Sequence, residues 1–177
     1  MATDQQIKTA LDRARKAIEL RPGLAFGTMK SSLRLEEGLK CSYTNGDWHL
    51  EIDEPESVGG DGSAPMPGTY GLAALSGCVA MSIKNLAILA GLTVDAVNLD
   101  IEADYDDHSM FEFKPIPPAG FTAFRLKIEV ESNAPESEIR EIVNRALNMS
   151  SWYGVFAHDQ TLSPQVTVIH PERTQEA

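Results

Sequence analysis

Residues 70–92 read YGLAALSGCVAMSIKNLAILAGL. The stretch is long and apolar, and two readings compete for it: a membrane span or a helix inside a core. Lys84 and Asn85 interrupt it, and the uninterrupted part from Tyr70 to Ile83 is 14 residues. A span needs about 20. Glycines 71, 77 and 91 and the many alanines suit close packing of a helix against protein. The stretch therefore predicts a buried core helix over 69–91, and the rest of the fold is read around it.

On its N-terminal side, residues 25–53 read as a β-meander. Leu33 and Leu35, then Trp48, Leu50 and Ile52, alternate with polar neighbours, the period of half-buried strands. Turns are expected at Glu36-Glu37-Gly38 and at Thr44-Asn45-Gly46-Asp47, because Asn-Gly tolerates positive φ at both positions. Residues 54–68 have a linker's Gly, Pro and Ser content, but they read as an ordered lid because the meander alone is too small to be a domain. Residues 4–20 form a first helix with a narrow stripe of Ile7, Leu11, Ala14 and Ile18, capped by Thr3 or Asp4 and stopped by Arg21-Pro22-Gly23.

On the C-terminal side, Val97, Leu99, Ile101, Ala103 and Tyr105 alternate with polar residues, and so do Phe124, Leu126, Ile128 and Val130. Both runs predict strands. Asn133-Ala-Pro-Glu136 starts a further helix in capping-box style, with a stripe of Ile139, Ile142, Val143, Ala146 and Leu147. An aromatic turn, residues 151–156, precedes an expected last strand at 165–170. The order is α-βββ-α-ββ-α-β. Strands come in runs, which predicts an α+β fold with a mainly antiparallel sheet.

Charge excludes several function classes. The chain of 177 residues has a formal net charge of −11. Phosphate contacts need clustered Lys and Arg, so no nucleic-acid partner is expected, and an anionic lipid surface repels such a chain. Residues 1–22 are the exception: five cations (Lys8, Arg13, Arg15, Lys16, Arg21) face three carboxylates (Asp4, Asp12, Glu19), a net +2 that leaves −13 for the rest. This basic helix either lies on an acidic body, its own or a partner subunit's, or presents an ordinary solvated face. Residues 1–6 lack a basic n-region followed by an apolar h-region, so no signal peptide is expected and the chain reads as cytoplasmic.

Few residues carry chemistry. Cys78 sits in the most apolar helix, where Ser76-Gly77 could break the helix and place the thiol in a new first turn; backbone N–H groups there would favour a thiolate. The alternative is a small buried hydrophobe. Cys41, on a strand beside Lys40, reads as structural, and it pairs with Cys78 only if their Cα atoms lie within about 7 Å. The histidines at 49, 108, 158 and 170 have no metal-ligand spacing, Asp104–His108 lacks the calcium-loop pattern, and Gly59–Gly62 lacks the P-loop Lys. No metal or cofactor is implied. Trp152, Tyr153 and Phe156 either line an apolar ligand pocket or close the core.

The run Asp53 to Gly62, then Pro65-Met-Pro67, then Leu72-Ala-Ala-Leu75-Ser-Gly-Cys78, resembles the OsmC/Ohr family of osmotically inducible and organic hydroperoxide resistance proteins. Gly120-Phe121 before a strand, the helix ending Arg145-Ala146-Leu147, the aromatic turn and a closing strand agree with it. The likeness covers roughly residues 25–170, which marks 1–22 as an added N-terminal helix, 23–171 as the OsmC-like domain and 172–177 as a disordered tail. The resemblance implies a curved, mainly antiparallel sheet packed on two long central helices in an intertwined homodimer. It implies reduction of organic hydroperoxides at the Cys matching Cys78, through a sulfenic acid, a second Cys that resolves it, and a thiol that restores the pair. An Arg–Glu ion pair assists the thiolate in such proteins.

This chain departs from the pattern at each helper. The resolving Cys falls at Ser150 or Ser151, whose hydroxyls cannot form a disulfide. The Glu after the proline matching Pro67 is Gly68. The Arg falls near Glu37, with Arg34 or Lys40 as substitutes if the register slips. An unassisted thiol is only a few per cent ionised at pH 7. Three readings follow. The first is a one-Cys peroxide reductase recycled by an external thiol reductant, or with Cys41 as resolver. The second is a non-peroxidase dimer binding a small hydrophobic ligand. The third is an interaction module using the basic helix.

Overall fold

The computed structural model describes residues 1–35 and 37–169. Its elements are α1 (Asp4–Leu20), β1 (Ser32–Leu35), β2 (Cys41–Asn45), β3 (Trp48–Ile52), α2 (Pro67–Ala90), β4 (Ala96–Tyr105), β5 (Phe121–Glu131), α3 (Glu136–Met149) and α4 (Ser151–Ala157). All strand pairing is antiparallel and falls into two sheets, β1-β2-β3 and β4-β5. The expected α+β class holds.

The helix expected at 69–91 is α2, and it is the axis of the core. Leu75, Val79, Ile83, Leu86 and Ala87 recur on one face and are buried with Val94 and with Ile142 and Ala146 of α3. Leu99, Ile101, Ile128 and Val130 of the β4-β5 hairpin close the other side. The expected break at Ser76-Gly77 does not occur: α2 is continuous, and the Ser76 hydroxyl donates back to the Leu72 carbonyl at 2.8 Å. A hydroxyl bonded to the preceding turn fits a helix interior as well as a cap. Cys78 is therefore mid-helix and gains nothing from the dipole of α2.

Loop 53–66 is ordered, as expected of a lid, and a buried carboxylate organises it. Asp53 accepts from the Glu54 N–H (2.8 Å), the Ser63 N–H (2.9 Å) and the Ser63 hydroxyl (2.9 Å). Three donors repay its desolvation and hold its pKa below the usual carboxylate range, the Ser63 backbone bond contributing most. The loop closes so tightly that a Cβ on Gly60 would lie 1.9 Å from the Glu54 carbonyl oxygen.

Four local expectations are corrected. The β2-β3 turn is Gly46-Asp47, because Asn45 pairs with Trp48; only Gly46 has positive φ (56°), as a turn with glycine at its first central position requires. The α3 capping box does not form: Pro135 occupies the N-cap and has no side-chain donor or acceptor to offer. The aromatic turn is a helix, α4. The strand expected at 165–170 is absent from 165–169, where Val166, Val168 and Ile169 are exposed; a strand gains no ladder without an edge beside it. His170 and the expected tail 172–177 lie outside the described residues.

The N-terminal half packs differently. α1 forms as expected, with a Thr3–Gln6 capping box. It touches α2 through the Asp4–Lys84 ion pair (2.9 Å) and half-buried Ile7 and Leu11, while Ala14 and Ile18 stay open. In the three-stranded sheet, opposed residues share a face, so Leu33, Tyr43 and Leu50 form one row and Leu35, Cys41 and Ile52 the next. Leu33, Leu35, Leu50 and Trp48 on this apolar face are exposed. The chain exposes 14271 Å², whereas a compact monomer of this length exposes about 8,500 Å².

Candidate functional site

The break between α3 and α4 faces Cys78. Ser150 ends α3, its N–H donating to the Ala146 carbonyl (2.9 Å), and it also caps α4 by accepting from the Tyr153 N–H (3.2 Å). It is 3% exposed. While one lone pair of its hydroxyl accepts at the cap, its proton donates to the Cys78 sulfur. Ser151 Oγ lies 3.7 Å from Cys78 Sγ.

Desolvation pushes the half-buried Cys78 thiol up. The Ser150 hydroxyl, the Trp152 backbone N–H and the hydroxyl and backbone N–H of Ser151 together outweigh it and hold the pKa below the ordinary thiol value. Hydrogen bonds to the charged form are the cause, and none of these four donors is a cation. A helix start facing the thiol was expected, but from within α2. The helix that supplies it belongs to another part of the chain, and a serine pair directly before an apolar, aromatic run was the signal for it.

The other expected neighbours are placed elsewhere. Lys40 pairs with Glu51 at 3.2 Å. Arg34 lies on the polar face of β1, opposite Ser42. Cys41 is a free thiol on the apolar face of β2, its Sγ 3.7 Å from the Leu39 carbonyl, and Cys78 is also free. Among the described residues no hydrogen bond or ion pair joins Lys40, Arg34, Glu37 or Cys41 to Cys78. Gly68 opens α2, where a Cβ would meet the Phe121 ring at 3.9 Å.

Two aromatics of α4, Tyr153 and Phe156, pack against the core, while Trp152 is exposed. Phe156 packs edge-on against Phe124 (4.9 Å between centroids), Phe124 against Phe121 (5.1 Å) and Trp152 against Phe156 (6.3 Å). Tyr153 sits against the α2 core. Two surface grooves lie away from α4: about 240 Å³ on the surface of α1, and about 280 Å³ between β5 and α3, lined by residues such as Ile128, Ile139 and Val143. Among the described residues no group of three or more His, Cys, Asp or Glu converges as a metal ion requires. In the acidic stretch, Asp104 is held bidentately by Arg125 (2.6 and 2.7 Å) and Asp106 by His108 (2.6 Å).

The fold has solved counterparts. It is similar to an OsmC-like protein from Mycoplasma pneumoniae (TM-score 0.62, 14% identity, 73% of this chain and 87% of that one). It is similar to an organic hydroperoxide resistance protein from Legionella pneumophila (TM-score 0.55, 16% identity, 75% and 90%). A third likeness is to the organic hydroperoxide resistance protein of Bacillus subtilis (TM-score 0.50, 14% identity, 74% and 91%). No curated protein matches the chain in sequence. The profile of the family described as OsmC-like protein matches residues 60–164, a span that holds loop 53–66 from Gly60 onward, all of α2 with Cys78, and the Ser150–Ser151 turn.

Proposed function

We propose that this chain, which belongs to the OsmC-like protein family, is a one-cysteine, thiol-dependent reductase of organic hydroperoxides that works as a cytoplasmic homodimer. The observation that carries the reading is the Cys78 thiol, half-buried beside the first turn of α4 and held low by its donors. A peroxidatic cysteine needs a populated thiolate and a polar environment that accepts developing charge. The Ser150–Trp152 turn offers both with neutral groups.

In the reaction, the Cys78 thiolate attacks one oxygen of the O–O bond. An S–O bond forms, the O–O bond breaks, and the alkoxide leaves and takes a proton to become the alcohol. Sulfur is oxidised by two electrons to the sulfenic acid as the peroxide is reduced. Ser150 and Ser151 cannot close a disulfide, so recycling falls to an external thiol. A first thiol displaces water and forms a mixed disulfide; a second frees Cys78 and leaves as an external disulfide.

The homodimer is supported by the exposed apolar face of the β1-β2-β3 sheet and by the excess surface of the single chain. Obligate dimers bury about 2,000–5,000 Å² or more in total. A second reading, a dimer that binds a small hydrophobic ligand without peroxide chemistry, is favoured by two facts: Lys40 is tied to Glu51 and Gly68 carries no carboxylate, so neither position supplies a charged helper to Cys78.

Intact mass after adding cumene hydroperoxide and a sulfenate trap separates the readings, run on wild type, Cys78→Ser and Cys41→Ser. A fast adduct in wild type that Cys78→Ser abolishes is the expected result. A loss of two hydrogens, abolished by Cys41→Ser, would assign Cys41 as resolver. No reaction within minutes overturns the peroxidase and leaves ligand binding by the dimer.

A further inference from the structure

The ion pairs of the chain leave an uneven remainder. Lys8, Arg15, Lys40, Lys84, Arg125, Lys127, Arg140 and Arg145 are all engaged with carboxylates. Among the described residues the cations left without an ion pair are Arg13, Lys16, Arg21, Lys30 and Arg34, with Lys114 the single one outside that stretch. The same stretch holds Leu24, Phe26 and Met29, of which Phe26 is 83% and Met29 88% exposed. The body carries the opposite remainder: Glu56, Asp95, Asp107, Glu112, Glu131 and Glu138 have no ion pair among the described residues.

Unpaired cations beside bare aromatic and aliphatic side chains are the composition of a contact surface. α1 is tied to its own α2 near its start by Asp4–Lys84, where Ile7 and Leu11 are half-buried, and Asp12 to Lys16 are exposed. We infer that residues 13–31 are an arm that lies on a second copy of this chain, Leu24, Phe26 and Met29 against its apolar surface and the free cations against its carboxylates. This rests on the homodimer reading and names the segment that completes it. Three observations select a second copy as the occupant. The acidic body supplies the complementary charge. The single chain exposes far more surface than a compact monomer of its length, which leaves ample area for contact with another copy. The arm also runs directly into β1, whose exposed apolar face calls for the same partner.

The test uses the full chain. Unlabelled and ¹⁵N-labelled protein are mixed, exchange is verified by native mass spectrometry, and amines are joined to carboxylates with a zero-length carbodiimide. Links from Lys16 and Lys30 in mixed-isotope pairs are expected; links confined to one isotope place the arm on its own body and overturn the inference. In parallel, Arg13→Glu/Lys16→Glu/Arg21→Glu and Phe26→Ser/Met29→Ser are compared with wild type by sedimentation. The dimer Kd is expected to rise at least tenfold in each, with unchanged circular dichroism, and the wild-type Kd to rise with salt. A wild-type dimer whose Kd neither variant changes overturns the arm alone. A wild type that is monomeric at every concentration overturns the homodimer and the arm with it. An unchanged Kd, with co-sedimentation on phosphatidylserine vesicles that the charge variant loses, assigns the surface to lipid instead.

Discussion

The two halves of this chain solve the burial problem in opposite ways. From α2 onward, the core helix is enclosed by α3 and the β4-β5 hairpin, and Val79, Ile83, Ala87 and Ala146 reach zero exposure. Before α2, the sequence is as well patterned, but the apolar face of β1-β2-β3 and the apolar residues of 18–29 meet solvent. Amphipathic patterning specifies which face will be buried. It does not specify what buries it, because that depends on whether the chain itself returns to cover the face. The half from α2 onward is finished by its own chain, and the half before α2 is left open.

The sharpest way to break this comparison is to make the same truncation in each half. Ile83→Ala, in the enclosed core, should cost about 2–5 kcal/mol, read as a lower urea midpoint that dilution does not change. Leu50→Ala, on the open sheet face, should cost little at nanomolar protein and more at high concentration, where the proposed dimer would cover the face. Equal, concentration-independent losses would mean that the sheet is covered within the chain. A smaller effect is expected at the join of α3 and α4. Ser150→Ala removes a cap worth about 0.5–2 kcal/mol and a donor to Cys78. The alkylation midpoint of Cys78 should move to higher pH. The sign follows from the direction of the shift: a thiol held low in the fold is ionised there while the unfolded thiol, near pKa 8.5, is still protonated. The wild type thus gains stability as pH rises from the folded pKa toward about 8.5 and loses it below; Ser150→Ala should flatten that dependence. The smallest effect is at the α1 contact: Asp4→Asn breaks the partly exposed pair with Lys84, worth at most about 1 kcal/mol, measured by denaturation in low and high salt.

Much of the site was legible in advance. Cys78 stood out because a thiol at that point in an apolar helix is chemically conspicuous, and Ser150 and Ser151, where the family resemblance puts a second cysteine, both reach its sulfur. The misreadings have one origin. Ser76-Gly77 looked like a break because both residues favour helix ends in isolation, yet α2 is enclosed by packing that overrides so weak a preference. The Asn133–Glu136 pattern looked like a capping box although Pro135 takes the cap itself. Asp53 was passed over because nothing in a strand-end aspartate announces that a loop will wrap three donors around it.

What the sequence determined by itself was local and periodic: the core helix from its apolar run, the strands from their alternation, α1 from its capped stripe, and the thiol that is the candidate for chemistry. Those properties are written in neighbouring residues, because side-chain direction repeats every two or 3.6 positions. What only the tertiary structure decided was which distant groups meet. The donors on Cys78 come from a turn more than seventy residues away, Lys84 finds Asp4 across the chain, and the 165–169 segment finds no edge to join. Such meetings depend on how packed elements cross in space, and a one-dimensional pattern carries no record of that.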